Sequence, residues 1–176
     1  MHNNKKLLLV VDMLKDFLDP DGKLYCGDKS RDIIPYVQNL VKNFIDEDND
    51  VLFICDSHNE NDLEFEMFPP HCISNTDGAL VIDELSDYVA ADNIIRKTRF
   101  SAFYNTNLDK LLEQANYEQV HIVGVCTNIC VMYTAEELCN RDINTYVHKK
   151  GVQSFDSEAH KFALQQMKYV LGAKVI

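Results

Sequence analysis

The feature that most constrains the fold is a series of short apolar runs that alternate with segments of helical spacing. Residues 7–11 and 51–55 are apolar throughout, which is typical of strands buried on both faces. Further strands are predicted at residues 94–95, 120–125, 145–147 and 173–176, and helices at residues 30–48, 106–115, 128–141 and 157–171, with Thr106 and Ser157 as N-caps. The alternation predicts a three-layer α/β/α domain with a mostly parallel sheet.

Chain length and composition limit the class of protein further. The 176 residues amount to about one domain, and no repeat or linker divides them, so a single domain over residues 1–176 is predicted. Seventeen basic against 28 acidic residues give a formal net charge of −11, which disfavours nucleic acid and anionic membranes as partners. No apolar run approaches the roughly 18 residues of a membrane span or resembles a signal peptide. We therefore expect a cytoplasmic protein whose six cysteines are thiols.

Chemically versatile residues follow several of the predicted strands. Asp12 follows the first strand, Lys97 the third, and residues 125–130 the fourth, and the carboxyl ends of parallel strands share one edge of a sheet. Cys130 falls in the first turn of a helix, where free backbone N–H groups favour a thiolate and a developing oxyanion. Cys130 is therefore a candidate nucleophile, with Asp12 to accept its proton and Lys97 to stabilise the charges.

The alternative for the same residues is purely structural. Free cysteines are usually small buried packing residues, and this is the default for Cys126 and Cys130 as well as for Cys26 and Cys139. On that interpretation Asp12 only caps a strand and Lys97 is a surface charge.

The long segment 57–79 contains candidate metal ligands. Asp56, His58 and His71 form a nitrogen and oxygen donor set suited to zinc, manganese or iron, although loop histidines are often simply solvated. A thiolate site is rejected, because Cys55 precedes Asp56 on a strand and must point to the opposite face. Cys72 adjoins His71 in the same way.

Three motifs, in order, resemble those of the nicotinamidase/isochorismatase-like cysteine hydrolase family. The first is Val10-Val11-Asp12-Met13 followed by Asp16-Phe17, the second is residues 97–103 (Lys-Thr-Arg-Phe-Ser-Ala-Phe), and the third is residues 124–131 (Gly-Val-Cys-Thr-Asn-Ile-Cys-Val). Each motif is weak alone, but three in register span most of the chain. The resemblance implies a six-stranded parallel sheet with helices on both faces.

The resemblance also implies a catalytic triad of Asp12, Lys97 and Cys130. It implies a cis peptide before Cys126 and an oxyanion hole formed by the backbone amides of Cys126 and Cys130. One position departs from the family pattern, because Asn128 stands where aspartate is usual. Asparagine caps a helix equally well, so no loss of activity is expected from this difference.

By the same resemblance, one divalent metal ion is held by Asp56, His58, Glu64 and His71. Zinc is expected, with manganese or iron as alternatives. Glu64 is the third ligand because glutamate-type members carry it seven residues before the last histidine. Glu66 is the fallback and Asp62 a weaker choice.

The substrate implied by the resemblance is a small aromatic amide, with nicotinamide hydrolysed to nicotinic acid and ammonia through a thioester on Cys130. Phe17 and Phe68 would sandwich the pyridine ring, and Phe100 or Phe103 would close its side, with plain core packing as the alternative for Phe103. The family also implies a homo-oligomer. Two alternatives remain open: a metal-independent amidohydrolase acting on another small amide or ureide, and a catalytically silent binding or scaffold protein. Nicotinamide and pyrazinamide are not separated by the sequence.

Overall fold

The computed structural model describes residues 5–176. In this part of the chain, six strands form one fully parallel sheet. The strand order is β3-β2-β1-β4-β5-β6. The strands are β1 Lys6–Val11, β2 Asp50–Asp56, β3 Ile94–Lys97, β4 Gln119–Val125, β5 Thr145–Gln153 and β6 Lys174–Val175. The predicted three-layer architecture with a six-stranded sheet is confirmed.

Residues 5–176 contain six α-helices, five of which pack on the two faces of the sheet. The six helices are α1 Lys15–Leu18, α2 Asp28–Arg31, α3 Ile34–Asp46, α4 Leu108–Ala115, α5 Met132–Asn140 and α6 Ser157–Tyr169. Apolar residues of α1 and α3 pack in one core cluster, and those of α4, α5 and α6 pack in the other. Among the described residues no helix has both the length and the hydropathy needed to cross a membrane.

Strand β1 shows why the sheet is central. Leu7, Leu9 and Val11 belong to the core beneath α4–α6, whereas Leu8 and Val10 belong to the core on the opposite face. All five are at most 1% exposed. A strand whose alternate side chains are all buried must be apolar throughout, so the continuous apolar run in the sequence follows from its position between two layers of helices.

The sheet changes winding direction between β1 and β4, which are hydrogen-bonded neighbours. Val11 pairs with Gly124 at their carboxyl ends. Gly124 has φ +119°, and a Cβ placed there would collide with the backbone carbonyl of Val11. Only glycine permits this close approach, so the glycine brings the loops after both strands to one crevice.

Some element boundaries differ from the predicted ones. The helix predicted at residues 30–48 is divided into α2 and α3, because Pro35 has no backbone N–H to bond to the carbonyl of Arg31 and is tolerated only in the first turn of a helix, where α3 places it. Strand β5 is longer than predicted, since its register with β4 shifts between Ile122 and Gly124. Asp156, not Ser157, caps α6 by accepting hydrogen bonds from two backbone amides.

Candidate active site

Three strand ends bring Asp12, Lys97 and Cys130 together. The Nζ atom of Lys97 lies 2.8 Å from Oδ2 of Asp12 and donates a hydrogen bond of 3.5 Å to Sγ of Cys130. All three side chains are buried. Carboxylate oxygens of Asp12 and Asp56 and the sulfur of Cys130 lie within 4.8 Å of one another. The residues predicted as a triad are therefore neighbours in one buried cluster.

The backbone holds Asp12 in an uncommon conformation. Its φ is +50°, a left-handed value that costs a non-glycine residue of order 1–3 kcal/mol. The backbone amide of Asp12 donates to the carbonyl of Ile54, and Oδ1 of Asp12 accepts from the amide of Asp56 at 2.9 Å. These bonds offset the strain and leave Oδ2 without a hydrogen bond of good angle, although Lys97 is close to it.

Charge and burial set the protonation states of this cluster. Burial, followed by repulsion from Asp56, raises the pKa of Asp12 to about 6. Burial would by itself lower the pKa of Lys97, but the carboxylates of Asp12 and Asp56 raise that pKa well above its ordinary value. Burial raises the pKa of the Cys130 thiol despite the nearby ammonium. At neutral pH the arrangement is an ionised Asp12, a protonated Lys97 and a neutral thiol.

Cys130 lies on a π-helical turn, Thr127–Val131, that joins β4 to α5. The peptide bond between Val125 and Cys126 is cis, as the resemblance implies. The predicted side-chain cap is wrong, because Asn128 accepts a hydrogen bond of 2.6 Å from Ser154 and does not cap the turn. This hydrogen bond holds the side chain of Asn128 against the loop before α6. The sequence pattern of a helix start does not predict that contact.

The candidate metal ligands form a second buried cluster. Donor atoms of Asp56, His58 and His71 lie within 4.8 Å of one another. Oε1 of Glu64 is 4.0 Å from Nε2 of His58 and 3.9 Å from Nε2 of His71. Glu64 is buried, whereas the fallback Glu66 is exposed. The structure thus gathers the four predicted ligands, with Glu64 in the third position.

Two hydrogen bonds fix how the histidines face this cluster. Nδ1 of His71 donates to the carbonyl of Pro69 at 2.8 Å, and Nδ1 of His58 lies 3.1 Å from Oδ2 of Asp62. Because each Nδ1 donates a hydrogen bond, each Nε2 keeps a free lone pair. This is the form of histidine that binds a metal ion. Asp62 is therefore a hydrogen-bond partner of a candidate ligand, not a ligand itself.

The orphaned atoms of the cluster test whether a metal fits. Among residues 5–176, Nε2 of His58 and Oε2 of Glu64 are buried without a hydrogen-bond partner. A buried polar group without a hydrogen-bond partner costs about 1–3 kcal/mol of folding free energy. A set of two imidazoles and two carboxylates suits a divalent transition ion, and an ion would give Nε2 of His58 and the carboxylate of Glu64 a partner. The residues present fit the implied metal.

Two further polar residues, Asp16 and Arg99, support the ligand loop. The carboxylate of Asp16 accepts a 2.7 Å hydrogen bond from the amide of Cys72, next to His71. Arg99 donates to both oxygens of Asp62 at 2.8 and 3.1 Å. Both residues lie inside the quoted sequence motifs, but a supporting role depends on contacts across more than 35 positions of the chain, which no local pattern shows.

A cavity joins the two clusters, because Asp12 and Cys130 of the first and Glu64 and His71 of the second line it together. Its lining includes Phe17, Phe68 and Phe100, as predicted, together with Leu24, Ile129 and Phe155, which were not predicted. The exposed Phe155 follows β5, so the rule that ligands bind beyond strand ends would have found it. Cys55 and Cys72 belong to neither metal-competent cluster in the described chain.

The prediction that Phe103 borders the substrate is corrected by the structure. Its ring is 9% exposed and packs in the core beneath α4–α6. The guanidinium of Arg141 lies 4.2 Å from the ring centroid on its outer side. Both Phe100 and Phe103 contact this core, but only Phe100 also lines the cavity.

Comparison with known proteins agrees with this arrangement. The isochorismatase domain family matches residues 6–176. The isochorismatase family protein PncA of Bacillus subtilis is 38% identical over 97% of this chain and 98% of its own length.

Solved structures give the same result at the level of the fold. The crystal structure of nicotinamidase/pyrazinamidase PncA from Bacillus subtilis superposes with a TM-score of 0.92 at 36% identity, covering 97% of this chain and 98% of that one. The pyrazinamidase of Pyrococcus horikoshii in complex with zinc superposes with a TM-score of 0.88 at 31% identity, covering 98% of both chains.

Proposed function

Because this chain belongs to the isochorismatase family, and its relatives are nicotinamidases and amidases, we propose that it is an amidohydrolase that converts nicotinamide to nicotinic acid and ammonia. The observation that carries the proposal is the meeting, in one cavity, of a nucleophile cluster and a metal-ligand cluster. Asp56 belongs to both, since Oδ1 contacts Lys97 and Oδ2 faces the two histidines. A substrate with a ring nitrogen and a carboxamide matches this pair of sites.

In the first half of the reaction, Asp12 removes the thiol proton of Cys130 and the thiolate attacks the amide carbonyl. Asp12 is assigned as the base because Lys97 is cationic, and because the other nearby carboxylate, Asp56, contacts Lys97 with one oxygen and faces the two histidines with the other. The backbone amides of Cys126 and Cys130 receive the developing oxyanion. Asp12 then returns the proton to the leaving ammonia, and a thioester remains on Cys130.

In the second half, Asp12 removes a proton from a water molecule that attacks the thioester. The tetrahedral centre collapses, nicotinic acid leaves, and the proton returns to Cys130. Lys97 stays protonated throughout and balances the charge that moves between Asp12 and the sulfur. General acid–base help of this kind is typically worth about 10²–10⁴-fold.

Asp56, His58, Glu64 and His71 would hold the metal. When bound, a divalent ion supplies a Lewis-acid position that fixes the ring nitrogen of the substrate. Phe17 and Phe68, which line the cavity, would bracket the ring. The ring centroid of Phe17 is 5.3 Å and that of Phe68 is 6.3 Å from His71, so both aromatic walls stand beside a candidate ligand.

The test is ammonia release from a panel of small aromatic amides, with metal content measured in the same samples. We expect nicotinamide and pyrazinamide to be hydrolysed by the metal-loaded protein, and hydrolysis to stop after chelation and to return with zinc, manganese or iron. Benzamide, which lacks the ring nitrogen, serves as the matched control and should be a poor substrate. Undiminished nicotinamide hydrolysis in metal-free protein would contradict the metal role. Hydrolysis of only non-aromatic amides or ureides would instead support the metal-independent alternative.

A further inference from the structure

Two cysteines that the proposed reaction does not use are in contact at the wall of the cavity. The sulfur atoms of Cys26 and Cys126 are 3.3 Å apart. The first lies on the loop between α1 and α2, and the second at the end of β4, a separation of 100 positions in the chain. No other two cysteine sulfurs in the part of the chain that the structure describes are in hydrogen-bond contact.

We propose that Cys26 and Cys126 are a redox site, in which a two-electron oxidant closes a reversible disulfide across the wall of the active-site cavity. The sequence alone predicts that Cys26 is a packing residue, and its contact with Cys126 adds this proposed redox role. The consequence for turnover rests on the proposed function, whereas the formation of the bond does not.

The geometry favours the bond. A disulfide has sulfurs about 2.0 Å apart, so these two need approach by only about 1.3 Å. The segment that carries Cys26 is not part of a strand. It is held in place by single backbone hydrogen bonds, such as that from the amide of Cys26 to the carbonyl of Phe17. Cys126 is fixed by the sheet and the π-helical turn. Closure therefore requires movement of a short loop, not of the sheet.

Access and protonation define the chemistry. Both cysteines line the cavity although they are only 4% and 8% exposed, so an oxidant must enter as the substrate does. The hydrogen bond between the two sulfurs, together with burial, raises the pKa of Cys126 well above its ordinary value. Cys126 therefore rests as a thiol, and the pair needs an added oxidant to react.

Diamide is a suitable probe because the step balances without other reactants. One sulfur adds to a nitrogen of the N=N bond, and the second sulfur displaces that nitrogen from the first. Two S–H bonds are lost, one S–S bond forms, and the diamide leaves as a hydrazine with both protons and the electron pair. A thiol such as dithiothreitol reverses the reaction by exchange.

The disulfide would disturb the site through the backbone of Cys126. That residue supplies one of the two amides proposed for the oxyanion hole, and loss of one such donor costs about 10²-fold in kcat. Leu24, two residues from Cys26, also lines the cavity. We expect oxidation to lower kcat by about this factor without removing the metal.

The bond itself is tested by mapping disulfides in the diamide-treated protein. The parent and Cys130→Ala proteins are alkylated with iodoacetamide after treatment, and the peptides are identified by mass spectrometry. We expect a cross-linked peptide joining residues 26 and 126 in both proteins. Recovery of Cys26 and Cys126 as separately alkylated peptides, or linkage of Cys126 to any other cysteine, would overturn the proposal.

The consequence is tested by activity, with each variant compared with its own untreated rate. The parent and Cys139→Ser, whose mutated cysteine does not line the cavity, should lose activity and recover it with dithiothreitol. Cys26→Ser should keep its own rate. Equal, reversible loss in Cys26→Ser would show that the cross-link does not control the site. If the parent does not hydrolyse nicotinamide at all, the proposed function fails, and the mapping result still decides the thiol pair.

Discussion

The two halves of the cavity are built in different ways. Asp12, Lys97 and Cys130 lie at or just after strand ends and compensate one another's charges, with Lys97 against both Asp12 and Asp56. The metal-ligand half comes mostly from the loop 57–72 and keeps buried donors with no partner in the described chain. In the first half the ammonium of Lys97 contacts both carboxylates, whereas the second half would be completed by the proposed metal ion. Two sites in one cavity can therefore be damaged separately, and the predictions below use this difference.

The largest effect is expected from Cys130→Ala, which removes the nucleophile and leaves the metal ligands unchanged. Loss of a nucleophile that acts within a triad costs on the order of 10⁶-fold in kcat. We expect no measurable ammonia release and an unaltered metal content. Ammonia release at the parent rate would disprove the thioester mechanism, and loss of the metal would show that the two halves are not separable.

The converse variant is Asp62→Asn, which weakens the metal half alone. Asp62 faces Nδ1 of His58 and is held by Arg99, and loss of such an outer partner typically lowers metal affinity by about 10–100-fold. The measurement is metal affinity by competition with a chelating dye, with the exposed Glu66→Gln as control. Selective labelling of Cys130 by iodoacetamide should not change. Unaltered affinity in Asp62→Asn would mean that the hydrogen bond does not orient His58.

The pH dependence of kcat/KM addresses the triad half. Asp12 must be ionised to accept the thiol proton, and its pKa is raised to about 6 by burial and by Asp56. Activity should therefore be constant above that pH and fall about tenfold per pH unit below it. The profile is measured at saturating metal, so that loss of the ion does not mimic the effect. A rate that stays level down to pH 5 would contradict a raised pKa of Asp12.

The smallest effects are expected from substitutions of two phenylalanines, one in the core and one in the cavity wall. Phe103→Leu should cost about 1 kcal/mol of unfolding free energy or somewhat more and leave the KM for nicotinamide unchanged, because the ring packs in the core. Phe68→Leu should raise KM with little loss of stability, because Phe68 lines the cavity and is partly exposed. Thermal unfolding and steady-state kinetics measure the two effects. A raised KM in Phe103→Leu would return that residue to the substrate site.

The fold was largely predictable because the burial of β1 and β2 on both faces requires unbroken apolar runs, which are visible without a structure. The positions of Asp12, Lys97 and Cys130 followed from the same pattern. In a parallel sheet every strand points to the same edge, so a residue directly after a strand has a known location. Boundaries such as the division at Pro35 and the register shift in β5 were not predicted, since they depend on how neighbouring segments pair.

The ligand half depended more on resemblance than on pattern. Loop 57–72 has no periodicity, so only the family motif distinguished Glu64 from Glu66, and the structure then separated them by burial. The prediction that Phe103 borders the substrate was wrong, because the sequence around a single aromatic residue in a turn does not show which side that residue faces. The roles of Asp62 and Arg99 were also beyond a local pattern.

The sequence by itself determined the layers, the order of the elements and the residues at the strand ends, because hydrophobic burial and strand direction act over a few positions at a time. The tertiary structure decided which side chains meet: that Asp56 joins the two halves of the cavity, that Asn128 bonds to Ser154, and that Cys26 touches Cys126. Such contacts act over a few ångströms between residues tens of positions apart, so only the folded chain brings them within reach.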